Sequence, residues 1–133
     1  MFTITFAGKP HTMQRPRVTR KGTYYKQDMK QAMKTVQEQL MFAVQLQQHK
    51  EITKACKVTI TAVYKRPVRL GKGNRIIKAT SPDADNIAKF YLDCLNRVNG
   101  FWTDDRLCAD LRVTKWYCAD YESPYCTLTV ESI

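Results

Sequence analysis

The chain has 133 residues, 44% of them hydrophobic and 26% charged, with 22 lysines and arginines against 12 acids, a net of +10. That is the size of one domain, residues 1–133, with room for a real core, and the composition excludes a disordered chain. No apolar run reaches the roughly 20 residues of a membrane helix, and the first residues lack the basic start of a secretion signal; the expectation is a cytoplasmic protein with no membrane partner.

Phe2, Ile4 and Phe6 alternate with Thr3 and Thr5, which predicts a strand over 2–7. Residues 8–23 are broken by Gly8, Pro10, Pro16 and Gly22 and read as a loop. From about Tyr25 to Gln48, Tyr25, Met29, Met33, Val36, Leu40 and Ala43 recur at helical spacing. Val58, Ile60, Ala62 and Tyr64 alternate with polar residues and predict a half-buried strand over 56–65. Residues 66–80, with Pro67, Gly71 and Gly73, read as a mobile loop.

The clearest helix runs from Ser81 to Asn99, where Ile87, Phe90, Tyr91, Cys94, Leu95 and Val98 make one apolar stripe. Ser81 and Asp83 are suitable N-caps, and Asn99-Gly100 is a suitable stop. Two strands follow, one carrying Leu107, Ala109, Leu111 and Val113, the other Cys126, Leu128 and Val130. The order β-α-β-α-β-β predicts an α+β fold, a small mixed sheet of about four strands with two main helices on one face. Five cysteines without CxxC or zinc spacing read as reduced, small apolar residues.

Charge is unevenly spread. Residues 1–82 hold seventeen basic groups and three acids, a net of +14, while residues 83–133 hold five and nine, a net of −4. The cations Lys9, Arg15, Arg17, Arg20 and Lys21 in the first loop, and Arg66, Arg69, Lys72, Arg75 and Lys78 in the second, are candidate DNA-phosphate contacts. Six aspartates fall between 83 and 110. Asp83 and Asp85 open the second helix, and Lys89 and Asp93 continue the Asp85 face at four-residue steps. If the last strands pack beside this helix, Asp104 and Asp105 return to its N-terminal end.

One acid at a helix start is a cap; two, with two more after a turn, exceed what capping needs. Carboxylates brought within about 5 Å repel unless a proton or cation neutralises them. Oxygen ligands without His or Cys suit Mg²⁺ or Mn²⁺. In a basic surround, the natural substrate of such a site is a phosphodiester.

The segment Asp83-x-Asp85-Asn86-x-x-Lys89-x-x-x-Asp93-x-Leu95, followed by Gly100-Phe101-Trp102-x-Asp104-Asp105, resembles the RusA family of Holliday junction resolvases. The resemblance implies a RusA-like fold over most of the chain and a homodimer that nicks two opposed strands of a four-way DNA junction. It implies Mg²⁺, replaceable by Mn²⁺, on Asp83, Asp85 and Asp105, with no organic cofactor. Lys89 is implied as catalytic, with Asp104, Asn86 and Asp93 supporting the site and Asp104 a further candidate ligand. Many members carry a Pro-Pro-Ser-x-Asn type loop after the first strand; this chain has Gly8-Lys9-Pro10-His11-Thr12-Met13-Gln14-Arg15-Pro16-Arg17 instead. Two rival readings are a non-catalytic basic nucleic-acid-binding protein and a metal nuclease for flaps or other branched substrates.

Overall fold

The computed structural model describes residues 1–14, 17–24 and 27–133. In chain order the elements are β1 (Phe2–Ala7), β2 (Arg17–Thr19), β3 (Gly22–Tyr24), α1 (Gln27–Leu46), β4 (Cys56–Tyr64), β5 (Ile76–Ile77), α2 (Ala84–Asn96), β6 (Cys108–Tyr117) and β7 (Tyr125–Ser132). Five strands form a mixed sheet in the order β1-β7-β4-β6-β5, with β4 and β6 parallel and the other neighbours antiparallel. The parallel pair requires a crossover, and α2 lies in it. The α+β class and the two helices are as the sequence predicts; the sheet gains one short edge strand, β5.

Period-two burial decides which face is covered. Val58, Ile60, Ala62 and Tyr64 of β4 and Cys126, Leu128 and Val130 of β7 are buried. They join Phe2 and Phe6 of β1 in one core with Met29, Met33, Val36, Leu40 and Ala43 of α1 and Ile87, Phe90, Tyr91, Cys94 and Leu95 of α2. Both helices therefore pack on one face. The other face is rich in threonine, with cross-strand hydroxyl contacts from Thr3 to Thr129 at 3.1 Å and from Thr5 to Thr127 at 3.2 Å. Cys56, Cys94, Cys118 and Cys126 are buried free thiols, and Cys108 is half-buried.

Three expectations need correction. The first loop contains a small hairpin, β2–β3, whose turn at Arg20-Lys21 is closed by the Thr19 hydroxyl donating to the Gly22 carbonyl at 3.2 Å. The second loop is held to the fold. Arg66 donates to the carbonyls of Gly71 (2.5 Å), Asn74 (2.8 Å) and Leu70 (3.3 Å), Val68–Leu70 form a 3₁₀ turn, and β5 closes the sheet edge. In β6 the register with β4 slips between Cys56↔Cys108 and Lys57↔Asp110, so Ala109 is an extra residue. The predicted stripe breaks there. Ala109 is exposed, and beyond the bulge Leu111, Val113, Lys115 and Tyr117 lie level with the covered-face residues of β4.

Arg75 donates to both Glu122 oxygens, the closer at 2.6 Å, and to the Tyr125 hydroxyl, which clasps the second loop to the start of β7. This contact holds the Glu122 carboxyl at about 2, below its ordinary 4.5. A depressed carboxyl stabilises the fold above its unfolded value and stops doing so as it protonates. The clasp should stabilise the protein above pH 4.5 and lose that effect as pH falls towards 2. Urea midpoints of the wild type and Glu122→Gln, compared across pH, should differ at neutral pH and converge in acid.

Candidate active site

Asp83 sits at the N-cap of α2 in extended backbone, and its side chain makes no capping hydrogen bond. The purely structural role for this carboxylate is thus not the one it performs. Asp85, in the first turn, accepts the amide of Asn86 at 3.0 Å with one oxygen. Asp83, Asp85 and Lys89 are exposed, and Asp93 is half-buried. Asp85, Lys89 and Asp93 share one stripe of α2, away from the apolar stripe that enters the core. The charged stripe faces outward because α2 has a single core-facing side.

The second acidic pair lies elsewhere than expected. Asn96, the last residue of α2, donates to Asp105 at 3.1 Å and accepts from the Trp102 indole at 2.8 Å. Asp104 and Asp105 therefore flank the C-terminal end of the helix, not its N-terminal end. The turn between them is spent on packing. Phe101 and Trp102 are buried, and Ile52 pairs with this turn through Ile52 N–H to the Phe101 carbonyl at 2.9 Å. Strand β6 then runs back along the helix, so only its later residues reach the Asp83 end. Eleven residues of helix separate Asp85 from Asn96, about 16 Å at the helical rise. Among the described residues, no three His, Cys, Asp or Glu side chains come together around one point.

What the structure shows is an outward charged stripe along α2, with Lys89 between the Asp83–Asp85 end and the Asp104–Asp105 end. The Asp104–Asp105 end is the more strained electrostatically. Asp104 and Asp105 are neighbours, and the closeness of Asp104 pushes the Asp105 carboxyl above its ordinary value, with a further push from the charge of Asp93. Asp104 is held lower, first by accepting the Arg106 amide at 3.0 Å and then by its contact with Asp105. Two neighbouring carboxylates favour a shared proton or a cation, and the C-terminal end of a helix is itself negative. The donor set fits a hard divalent ion in kind, since it consists of oxygens alone, and Mg²⁺ is commonly held by only one or two carboxylates with water and phosphate completing the shell.

The first loop is rooted on α2. Met13 donates its amide to the Asn86 carbonyl at 2.9 Å. His11 donates its amide to the Tyr91 hydroxyl at 3.1 Å and stacks on Phe90 at 4.9 Å between ring centres. Burial pushes the His11 imidazole down, so it serves as a neutral packing ring. Lys9, Arg20 and Lys21 are exposed. Arg15 lies outside the described residues, and of Arg17 only the backbone, in β2, is described. In the second loop Arg69 and Lys72 are exposed, while Arg66 and Arg75 are engaged in the internal bonds above. Lys78 lies over the rings of Tyr64 (5.2 Å) and Tyr117 (4.9 Å).

A family model for endodeoxyribonuclease RusA matches residues 7–124 of the 133. The chain belongs to the RusA endodeoxyribonuclease family. It is therefore a nuclease, and the RusA family acts on Holliday junction DNA. The match spans the acidic motif, both basic segments and three of the five strands of the main sheet, β4, β5 and β6. Comparison with curated proteins gives no match. Among the described residues, no helix is long and apolar enough to cross a membrane.

Sequence reasoning passed over two residues beside α2. Asn96 was only the end of an apolar pattern, yet it fixes both Asp105 and Trp102. Lys115 was one polar residue in a strand, yet it lies level with Ala62 on the covered face. The signal available for Lys115 was a charge two residues beyond Val113 in the same alternation.

Proposed function

We propose that this protein is a divalent-metal-dependent endonuclease that resolves Holliday junctions by paired symmetric nicks, in cytoplasmic DNA recombination and repair. Mg²⁺ is the proposed cofactor, with Mn²⁺ able to replace it. The observation that carries this reading is the outward charged stripe of α2, with Lys89 between Asp83–Asp85 and the Asp104–Asp105 end, in a RusA-family chain of net charge +10.

Of the residues the resemblance implies for the metal, Asp83 and Asp85 stand together at the start of α2 while Asp105 stands at its other end, so they are proposed to hold metal as two carboxylate sets and not around one ion. When bound, such an ion lowers the pKa of its water and polarises a phosphoryl oxygen. Lys89 lies between the carboxylate sets, where its ammonium can donate to a non-bridging phosphate oxygen and offset charge that grows in the transition state. Asn86 supports the site from α2, its carbonyl holding the root of the first loop. Asp93 supplies charge to the Asp105 end. Asp104 accepts the Arg106 amide and so shapes the turn that presents Asp105. A homodimer follows from the substrate: a junction has two-fold symmetry, and two equivalent sites on a two-fold dimer meet two equivalent phosphates.

Lys9, Arg20, Lys21, Arg69 and Lys72 are exposed cations suited to phosphate contact. Lys72→Ala should weaken junction binding and reduce the slope of log affinity against log salt by about one. Arg75→Gln acts differently, because it releases the Glu122 clasp. The functional reading is tested by Asp83→Asn. Cleavage of a synthetic junction should be lost while binding persists or tightens, since a negative charge beside phosphate is removed. Unchanged cleavage would overturn the assignment of Asp83.

A further inference from the structure

Lys115 is a half-buried lysine in the penultimate turn of the pleat in β6. Its ammonium donates to the carbonyl of Thr80 at 2.8 Å and to that of Pro82 at 2.8 Å. The Lys115 carbonyl accepts the amide of Lys78 at 2.9 Å. One residue thus ties both ends of the segment from Lys78 to Pro82 to the sheet. A second tie runs through Thr80, whose hydroxyl contacts the Tyr117 hydroxyl at 2.9 Å and accepts from Lys78 at 2.6 Å. Lys115 takes part in none of the ion pairs among the described residues. Its charge is spent on two backbone carbonyls, directly before the residue that starts α2.

That placement has a mechanical consequence. Asp83 has no capping bond to fix it, and Asp85 is fixed only through its own helix. The direction in which both leave the backbone is set by how the chain enters the helix, and Lys115 holds two of the three carbonyls that precede Asp83, those of Thr80 and Pro82. Held carbonyls orient neighbouring ligands as second partners do at metal sites. The bulge at Ala109 makes this possible, because it brings Lys115 level with Ala62 on the helix-covered face.

We propose that Lys115 is the positioning residue for Asp83 and Asp85 at the start of α2: it anchors Thr80 and Pro82 so that the two carboxylates are presented together to a divalent cation. The inference rests on the nuclease reading above. Mn²⁺ titration of the DNA-free protein, followed by calorimetry, tests it alongside junction cleavage as a function of Mg²⁺. Lys115→Met should weaken Mn²⁺ binding by about tenfold and raise the Mg²⁺ needed for half-maximal cleavage by a similar factor. Junction binding in EDTA should stay within about twofold of wild type, which is not the pattern of a lost DNA contact. Lys115→Arg, which keeps the charge and two donors, should restore metal affinity to within about threefold. If Lys115→Met does not fold, Lys115→Gln, a shorter neutral donor, replaces it and should show the same direction of change. Wild-type metal affinity and an unchanged Mg²⁺ requirement in the folded neutral variant would overturn the inference alone. A wild-type chain that neither binds Mn²⁺ nor cuts would overturn the nuclease reading and this inference together.

Discussion

Asp105→Asn is expected to lower junction cleavage by about 10³-fold, the scale of losing a group that stabilises transition-state charge, with junction binding retained. Asp104→Asn should cost much less, about tenfold, the scale of a supporting partner. The two residues are adjacent, so the contrast comes from what each carboxylate does. Asp104 accepts the Arg106 amide at 3.0 Å and lies 3.8 Å from the Arg106 guanidinium. An asparagine oxygen can keep the amide bond. Asp105 is held by Asn96 and pushed towards its protonated form by Asp104 and Asp93. A cation relieves that repulsion, and an amide at 105 removes the reason for it to bind. Because Asp105 takes up a proton above the ordinary carboxyl range, metal binding should strengthen as pH rises through its raised value. Steady-state cleavage by the two variants, measured beside gel-shift binding, checks this. Equal loss in both would mean that the pair acts as one unit.

Phe101→Ala is expected to destabilise the fold by about 3–5 kcal/mol, a large share of the roughly 5–15 kcal/mol that holds a domain together. The ring is fully buried, stacked on His49 at 4.5 Å and edge-on to Phe2 at 5.1 Å and Trp102 at 5.3 Å. The residue's carbonyl also receives Ile52 and contacts the His49 ring at 3.0 Å. This cluster ties the β1 end, the end of α1 and the turn after α2 into one corner. Trp102 then reaches Asn96, and Asn96 reaches Asp105. Truncation at Phe101 should therefore lower the urea midpoint and, at temperatures where the variant stays folded, also slow cleavage. Phe42→Ala, at a residue 67% exposed on α1, should change neither.

The long regular pieces were legible in the sequence. Met29, Met33, Val36, Leu40 and Ala43 repeat over about four turns, and all five are buried. Val58, Ile60, Ala62 and Tyr64 alternate and are buried as expected. The motif from Asp83 to Asp105 identified the family because its residue types are unusual at that spacing, whatever the fold. The short pieces were not legible. Strands β2, β3 and β5 have two or three residues each, too few for any period to show; β2 and β3 form only as each other's partner, and β5 only against β6. The second loop looked mobile because glycine and proline permit freedom; Arg66 removes it by bonding carbonyls within the loop, and Glu122 by holding Arg75 from 47 residues away. A one-residue bulge at Ala109 drops that residue from the stripe of β6; beyond it Leu111, Val113 and Lys115 lie level with the covered-face residues of β4, where Leu111 still stays 45% exposed. The placement of Asp105 was a tertiary matter as well. Sequence order brings it back to α2, but only the packing of Phe101 and Trp102 decides which end it meets.

The nuclease reading is tested most directly by incubating the wild-type protein with a synthetic four-way junction, a flap and a linear duplex, each with Mg²⁺ and with EDTA. The expected result is paired, symmetric nicks in the junction with Mg²⁺, little cutting of the other substrates, and none in EDTA. Equal cutting of linear duplex, or junction cutting that persists in EDTA, would contradict it.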